Sequence, residues 1–502
     1  MPSRTNELEL KFTAPADFAA GSLALQAGID SVSELPSLDL IAVYYDTDDL
    51  RLARAGVTLR YRTGDTDGDG WTLKLPAQNT PALREEVGYT EDKDSLPEEA
   101  RRLVTVFARD AELHKVAKLR TRRRRWSLRE TGGRELAELV DDRVSVFDGR
   151  RVTQRFRELE LEARTADRAG LKPIEAALGQ MGFAQSSQVP KAVRALGPRA
   201  VEPSDIPEPT SVSPRSPVAD AVAAGMASAV SRLMLHDPHA RLHDAEGVHQ
   251  MRVSARRLRG YMRTFSSLVE PAWAEGIVKE LRWLARALGV VRDLDVLLGT
   301  LRDAAYVGAE IAPMLDVLRE RQSAARQSLD KALASDRYIA LLERLIEAAR
   351  APSLTVAASE SCRSALPRLV RETWAPLENA VQDLNQAPTD DAYHQARIQA
   401  KRARYAAEAA APCLGRRLGS DAIRFAQHAE EVQNVLGVRQ DSVVLRQVLL
   451  EEAARRRDDG PFNLAAGRLI GRRDQSIEAS DERFREVWRA MNRKKIRAWL
   501  NL

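Results

Sequence analysis

Cysteine, histidine and aromatic residues are scarce in this 502-residue chain, which has two cysteines, seven histidines and 5% aromatics. The two cysteines, Cys362 and Cys413, cannot form a disulfide framework, and nothing before Glu7 resembles a signal peptide. Long apolar runs are missing too, because Val218 to Val230 is short, rich in Ala and interrupted by Asp220. These absences predict a soluble protein of the reducing cytoplasm. What is plentiful is charge, at 30% of residues, and hydrophobic residues, at 44%. A chain this long exceeds one core and implies two or three domains.

The clearest boundary is Gly197 to Pro217, where six residues are proline: 198, 203, 207, 209, 214 and 217. Such a stretch is expected to stay extended and semi-rigid without packing, as an interdomain linker. Charge divides there as well. Residues 1 to 198 hold 31 Lys+Arg against 32 Asp+Glu, and the remainder holds 46 against 40. Short alternating strings precede the linker, and long Ala/Leu/Arg segments of helical period follow it.

Glu7-Leu8-Glu9-Leu10-Lys11-Phe12 and Glu158-Leu159-Glu160-Leu161-Glu162 place only charges on one face of a strand and only apolar groups on the other. Other strings share the habit with the sign of charge changing. Arg60 and Arg62 share a face, Lys74 lies opposite Leu73 and Leu75, and Arg84 and Glu86 lie opposite Val87. In Arg122 to Trp126, Trp126 and Leu128 should point to the apolar side, leaving Arg123 and Arg125 with Ser127. Glu138 and Asp142 share a parity in a less regular string. A sheet can solvate seven such faces, or it can roll up around them with its apolar face outward under helices such as Ala166 to Gly182. An empty charged interior is costly, so the second option calls for water, metal and a polyanion. Glutamates hold Mg²⁺ or Mn²⁺ through oxygen, and Arg and Lys hold phosphate.

Glu7-x-Glu9-x-Lys11 resembles the signature of the CYTH superfamily, the triphosphate tunnel metalloenzymes. Further elements follow in the family's order: Arg60-x-Arg62, Lys74, Arg84-x-Glu86, the strand around Arg123 and Arg125, Glu138, Glu158-x-Glu160-x-Glu162, and Lys191. The resemblance spans about residues 3 to 197. It implies an eight-stranded antiparallel β-barrel whose Lys11, Arg60, Arg62, Lys74, Arg84, Arg123, Arg125 and Lys191 hold a triphosphate. It further implies metal, Mg²⁺ or Mn²⁺, at Glu7, Glu9, Glu138, Glu158 and Glu160, with Glu7, Glu9, Lys11, Glu158 and Glu160 as the catalytic set. The chemistry implied is attack of a metal-activated water on a terminal phosphoryl group. Two alternatives stay open. Arg84, Glu86 and Asp142 fit a salt-bridged strand surface equally well, and the run Arg122 to Arg125 fits a nucleic-acid patch, because tunnel parity uses only two of its arginines.

The second half holds an internal repeat. His249-Gln-Met-Arg252-Val-Ser-Ala-Arg256-Arg-Leu-Arg259 is echoed by His394-Gln-Ala-Arg397-Ile-Gln-Ala-Lys401-Arg-Ala-Arg404. Each copy leads to a second segment, ending Leu288-Gly289-Val-Val-Arg-Asp293 or Leu436-Gly437-Val-Arg-Gln-Asp441. At 100° per residue, His249, Arg252, Arg256 and Arg259 fall within an arc of roughly 80°, extended by Arg263. His394, Arg397, Lys401 and Arg404 repeat that arc. Met251, Ala255, Leu258, Met262 and Phe265 form the adjacent stripe, expected to bury. Cations so aligned repel each other, which a polyanion relieves. Lys279, Arg282 and Arg286 align with Gln427, Glu430 and Asn434, so the first copy should contribute more to binding. The duplicated motif resembles the CHAD domain, over about residues 218 to 502. That resemblance implies a bundle of two four-helix units binding inorganic polyphosphate along a basic surface.

The expectation is therefore an α+β protein of two domains. A barrel spans 1–197, a Pro-rich linker 198–217, and an all-α bundle with internal duplication 218–502, its repeats covering about 218–350 and 360–502. The expected function is metal-dependent hydrolysis of tripolyphosphate or a related chain in the tunnel, with polyphosphate bound by the bundle, in the cytoplasm at polyphosphate granules. Three other readings stand beside it: a polyphosphate-binding protein without turnover, adenylate cyclase or thiamine triphosphatase activity in the same tunnel, and a nucleic-acid binder. The last is disfavoured because the basic helices lack interleaved aromatics. No membrane partner is expected.

Overall fold

The structure, a computed structural model, describes residues 3–13, 23, 29–66, 68–76, 83–186, 189–303 and 309–501. Two compact units divide the chain, Met1–Asp205 and Ile206–Leu502.

The first unit is built on an antiparallel sheet of β1 (Ser3–Thr13), β2 (Ser31–Asp46), β3 (Thr58–Thr63), β4 (Gly70–Pro76), β5 (Leu83–Tyr89), β6 (His114–Arg129), β7 (Glu135–Asp148), β8 (Arg151–Ala163) and the two-residue β9 (Ala184–Gln185). The spatial order is β5-β4-β3-β2-β6-β7-β8-β1-β9. Strand β1 splits its pairing, meeting β5 through residues 3–8 and β8 through residues 9–12. Four short helices accompany the sheet: α1 (Arg51–Arg54), α2 (Glu98–Ala108), α3 (Arg168–Gln180) and α4 (Lys191–Leu196).

Register converts the alternating strings into rows. Arg123, Asp142 and Glu158 stand side by side across β6, β7 and β8, and Arg125, Val140, Glu160 and Lys11 form the next row. Where α3 covers it, the opposite face is apolar. Leu10, Phe12, Trp126, Leu128, Leu139, Leu159 and Leu161 bury against Leu171, Ile174 and Leu178 of α3. Each such side chain contributes about 1.5–3 kcal/mol on burial, which fixes the register, since a one-residue slip would exchange the faces. Helix α3 starts where Asp167 accepts a hydrogen bond from the Gly170 amide at 2.8 Å.

The proline-rich stretch packs, contrary to expectation. Residues 198–201 form a 3₁₀ turn that buries Ala200 with Leu50, Ala53 and Val193. Arg199 donates to the Asp48 carbonyl at 2.9 Å, Arg54 to the Pro203 carbonyl, and Asp205 pairs with Arg109. Farther on, the amides of Cys362 and Arg363 donate to the carbonyls of Ser216 and Pro214. Prolines lack a donor but keep their carbonyls, and these acceptors anchor the stretch at both ends.

The second unit is helical: α5 (Val218–Arg241), α6 (Ala245–Thr264), α7 (Pro271–Asp303), α8 (Ala312–Leu333), α9 (Asp336–Arg350), α10 (Cys362–Arg371), α11 (Trp374–Gln386), α12 (Asp390–Ala410), α13 (Gly415–Arg455), α14 (Gly460–Met491) and α15 (Lys494–Arg497). Among the described residues, 218–350 thus hold five α-helices where four were expected, because Ser335 caps a fresh start at α9 by accepting from the Tyr338 amide. Helix α5 also corrects the estimate of apolar length. It continues past Val230 to Arg241, long and apolar enough by composition to cross a membrane. In this unit Val222, Met226, Val230 and Leu233 are buried, and the helix ends on a buried Asp237–Arg241 ion pair at 2.6 Å. Cys362 and Cys413 are buried free thiols.

Candidate active site and basic groove

Side chains from the charged rows line a cavity of about 570 Å³ in the first unit. Among the described residues, nine cations and seven carboxylates face it, so its character is ionic. Lys11 Nζ lies 2.6 Å from Glu160 Oε1, 3.2 Å from Glu158 and 3.5 Å from Glu9. Lys191, on the first turn of α4, reaches the same carboxylates from the other side, at 2.5 Å from Glu160 Oε2, 2.8 Å from Asp142 and 3.3 Å from Glu158. Arg123 forks onto Asp142 at 2.8 and 2.9 Å, and Arg125 pairs with Glu138.

These contacts set the titration of the cluster. Burial opposes charge on Glu160, but Lys11 and Lys191 outweigh it and hold its carboxyl well below the usual range. Glu158 makes only the longer contacts, so burial wins there and its carboxyl is raised. Burial likewise opposes charge on Lys191, yet Asp142 and Glu160 raise it well above an ordinary lysine.

A second wall is cationic. Arg60, Arg62 and Lys74 line it, with Arg60 Nη1 3.5 Å from the Tyr44 hydroxyl and Lys74 Nζ 2.5 Å from Glu86. Burial first, then the charge of Arg60, pulls Arg62 down to about 10. Burial would raise Tyr44, but Arg60, Lys191 and Lys74 together lower it. Stacked cations of this kind gain most from an anion with many oxygens.

Of the residues the sequence singled out, Glu9, Lys11, Arg60, Arg62, Lys74, Arg123, Arg125, Glu138, Glu160 and Lys191 line the cavity, and Glu158 is buried beside Lys11 and Lys191. The side chains of Glu7 and Arg84 lie outside the described residues, although their backbones face each other across β1 and β5. Asp142 and Glu86, which fitted a surface equally well, turn inward, and Asp142 is fully buried. Glu162, the last member of the acidic string, lines the cavity as well, and so do Tyr44 and Arg164, which were missed. The donors are all carboxylate oxygens, the chemistry that suits Mg²⁺ or Mn²⁺. Among the described residues no three of them already form a metal cage, because ammonium groups stand between them.

In the second unit the two motif helices face one another. Met251, Ala255, Leu258, Met262 and Phe265 are buried, as are Ala396, Ala400, Ala403 and Ala407 of α12. Arg252, Arg256, Arg397 and Lys401 therefore meet between α6 and α12, each in electrostatic reach of the others. Burial first, then Arg397, Arg256 and Arg252, pulls Lys401 down to about 7. The Nε atoms of Arg256, Arg259 and Arg397 are buried without a hydrogen-bond partner among the described residues. A cavity of about 520 Å³ continues the cluster past Arg256, Arg259, Arg263, Lys401, Arg402 and Tyr405.

Carboxylates are unevenly placed around this groove. Arg252 pairs with Asp293 at 2.9 Å, and Asp441 attracts Arg397. Arg259 is surrounded by Arg282 and Arg286, and burial together with them lowers it. Its counterpart Arg404 is instead taken by Glu408 at 2.6 Å and Glu430 at 2.8 Å, so it is neutralised where Arg259 is not. His394 shares a hydrogen bond with Gln440 at 3.2 Å, whereas burial and Arg292 lower His249. Lys279 is exposed on α7 beside Glu280.

A CYTH domain profile matches residues 5–193 and a CHAD domain profile matches residues 224–450. Two uncharacterized proteins of Mycobacterium tuberculosis, from strains CDC 1551 and H37Rv, are each 32% identical over 98% of this chain and 97% of their own. Among solved structures, PptA from Streptomyces chartreusis is 23% identical over 55% of this chain and 100% of its own, with a TM-score of 0.45. The Hippeastrum protein HpAC1, described as a candidate adenylyl cyclase with a dominant triphosphatase activity, is 18% identical over 39% of this chain and 95% of its own, with a TM-score of 0.26.

Proposed function

This chain belongs to the proteins that join an N-terminal CYTH domain to a C-terminal CHAD domain, and we propose that it hydrolyses inorganic tripolyphosphate or a related triphosphate in the first unit and binds inorganic polyphosphate in the second. The observation that carries the reading is the meeting of Lys11, Lys191 and Arg123 with Glu158, Glu160 and Asp142 in a cavity whose other wall is Arg60, Arg62 and Lys74.

The split pairing of β1 supports a closed eight-stranded tunnel, with β9 as an addition at its edge. Within it, Arg60, Arg62 and Lys74 grip phosphate oxygens, the arginines by their forks. The ion pairs of Lys11 and Lys191 are exchangeable, so a triphosphate can draw both ammoniums off the carboxylates. Glu9, Glu158 and Glu160, with Glu7 from the same strand, would then hold a divalent cation. Such a cation, when bound, neutralises phosphate charge and lowers the pKa of a bound water. No nucleophilic side chain is needed, because positioning and charge neutralisation supply most of the rate in phosphoryl transfer.

In the second unit, we read the hairpins α6–α7 and α12–α13 as copies of one ancestral unit whose basic arcs converge on one polyphosphate track. The first copy supplies more free charge, since Glu408 and Glu430 occupy Arg404. Such a ligand would place the protein in the cytoplasm, at polyphosphate granules. The test is phosphate release from tripolyphosphate by the purified chain with Mg²⁺ or Mn²⁺. Release is the expected result. No turnover of tripolyphosphate, ATP or thiamine triphosphate would reduce the tunnel to a binding site.

A further inference from the structure

The run Arg122 to Arg125 is divided between two faces of the sheet. Arg123 and Arg125 point into the cavity, while Arg122 and Arg124 are exposed on the other side. There Arg122 lies opposite Arg143, and Arg143 lies opposite Arg157, so one row across β6, β7 and β8 consists of three arginines. The row beside it holds Arg120, Ser145 and Arg155. Like charges directly opposite in an antiparallel pair destabilise it. Two carboxylates relieve part of the repulsion, Asp39 bonding Arg120 at 2.8 Å and Asp141 forking onto Arg157 at 2.7 and 3.0 Å. Arg122, Arg143 and Arg155 have no ion pair among the described residues; Asp39 acts on Arg122 only at longer range.

Coverage of this face stops short of the row. Helix α3 seals Trp126, Leu139 and Leu161, and Arg124 stacks on Trp126 at 4.9 Å, at the border of the sealed zone. Beyond it a hollow of about 440 Å³ opens, lined by Arg122, Arg124 and Arg143 with Asp39 and Asp141; Leu38 and Arg123 border both it and the inner cavity. We propose that this hollow, with Arg122, Arg124 and Arg143 exposed on the outer face of the sheet, is a second binding site for a chain of condensed inorganic phosphate.

The dimensions favour that ligand. Three strands spaced about 4.8 Å apart form a platform only about 10 Å across. Protein–DNA modules bury about 600–1,000 Å² or more, and among the described residues no aromatic side chain lines the hollow for base stacking. A condensed phosphate chain is narrow, densely charged and rich in acceptor oxygens, which suits exposed guanidinium forks. The choice of ligand rests on the phosphate-handling reading above, but the test reads binding and is independent of turnover.

Long-chain polyphosphate binding is measured on the full chain carrying Arg256→Glu and Lys401→Glu, which weaken the helical groove, with and without Arg122→Glu and Arg143→Glu. The expected result is a further loss of at least fivefold, with a shallower salt dependence and an unchanged KM for tripolyphosphate if the tunnel turns over. The charge-retaining pair Arg122→Lys and Arg143→Lys should keep most of the binding, and the melting temperature checks folding. Unchanged affinity after the reversal overturns the proposal. So does duplex DNA that competes equally with polyphosphate at matched salt and loses affinity in parallel, since that marks a nucleic-acid surface.

Discussion

Lys191 Nζ lies 2.5 Å from Glu160 Oε2, while Lys11 Nζ lies 2.6 Å from the other oxygen of the same carboxylate. Glu160 thereby makes a closer bridge than Glu158 between a strand lysine and a helix lysine 180 residues apart in sequence. Removing its charge leaves Lys11 with only the longer contacts to Glu158 and Glu9, and strips Lys191 of one of its two close carboxylates, Asp142 being the other. Glu160→Gln should lower the stability of the first unit by about 3–5 kcal/mol, the usual cost of breaking a buried pair. Phosphate release should fall at least about a hundredfold, the scale of losing one preorganised charge in an active site. Melting curves and phosphate release on the same sample check both.

The same cluster fixes how stability depends on pH. Glu160 and Asp142 are held below their ordinary values of 4.5 and 3.8, so their stabilisation is present above those values and is lost as pH falls through the lowered ones. Lys11 and Lys191 are raised above 10.5, so theirs is present below 10.5 and is lost only as pH rises through the raised values. Glu158, raised by burial, has the opposite sign: it costs stability as pH rises from 4.5 through its raised value and is constant above that. Melting temperature should therefore be flat across the neutral range and fall steeply in acid. With Lys191→Met the alkaline loss should shrink, because the ion pairs that it tracks are gone.

The strands declared their inner faces because charge and apolar groups alternate cleanly at Glu7–Phe12 and Glu158–Glu162. Asp142 was ambiguous for a local reason: Val140, at the same parity, is an apolar member of the inner row, and Asp141 beside it is equally charged. Tyr44 was hidden in Ile41-Ala-Val-Tyr-Tyr45, where both faces read as apolar. Helical periodicity revealed each basic arc, but it carries no information on which helices touch, so the convergence of Arg252 and Arg256 with Arg397 and Lys401 appears only in the fold. Proline content misled at 198–205 because composition reports missing donors and says nothing of carbonyls that accept.

The two glycines that follow the motif helices should respond differently to alanine. A methyl at Gly289 would sit 3.7 Å from Arg252, an ordinary contact, whereas one at Gly437 would sit 3.2 Å from Nη2 of Arg397 and push it aside. Both changes remove a helical glycine, which favours the helix by up to about 1 kcal/mol. Gly289→Ala should raise the melting temperature and leave polyphosphate affinity intact. Gly437→Ala should weaken binding two- to fivefold through Arg397, and equal affinities for the two variants would detach Arg397 from the track.

Lys401 gives the helical groove its own pH dependence. Burial and three arginines pull this lysine down to about 7, so near pH 8 the ligand-free site holds it mostly neutral. A polyanion favours the charged form and raises the value, so binding takes up a proton. Affinity should be greatest below pH 7 and fall as pH rises through the ligand-free value, levelling off above the bound one, by up to tenfold per unit between them. Titration calorimetry in buffers of different ionisation enthalpy should show uptake approaching one proton at pH 8. Lys401→Arg keeps the charge throughout and should flatten the profile at the high-affinity level, while Lys401→Met should flatten it at the low one. A profile that still falls in both variants assigns the linkage to another group, with His249 the next candidate along the same arc.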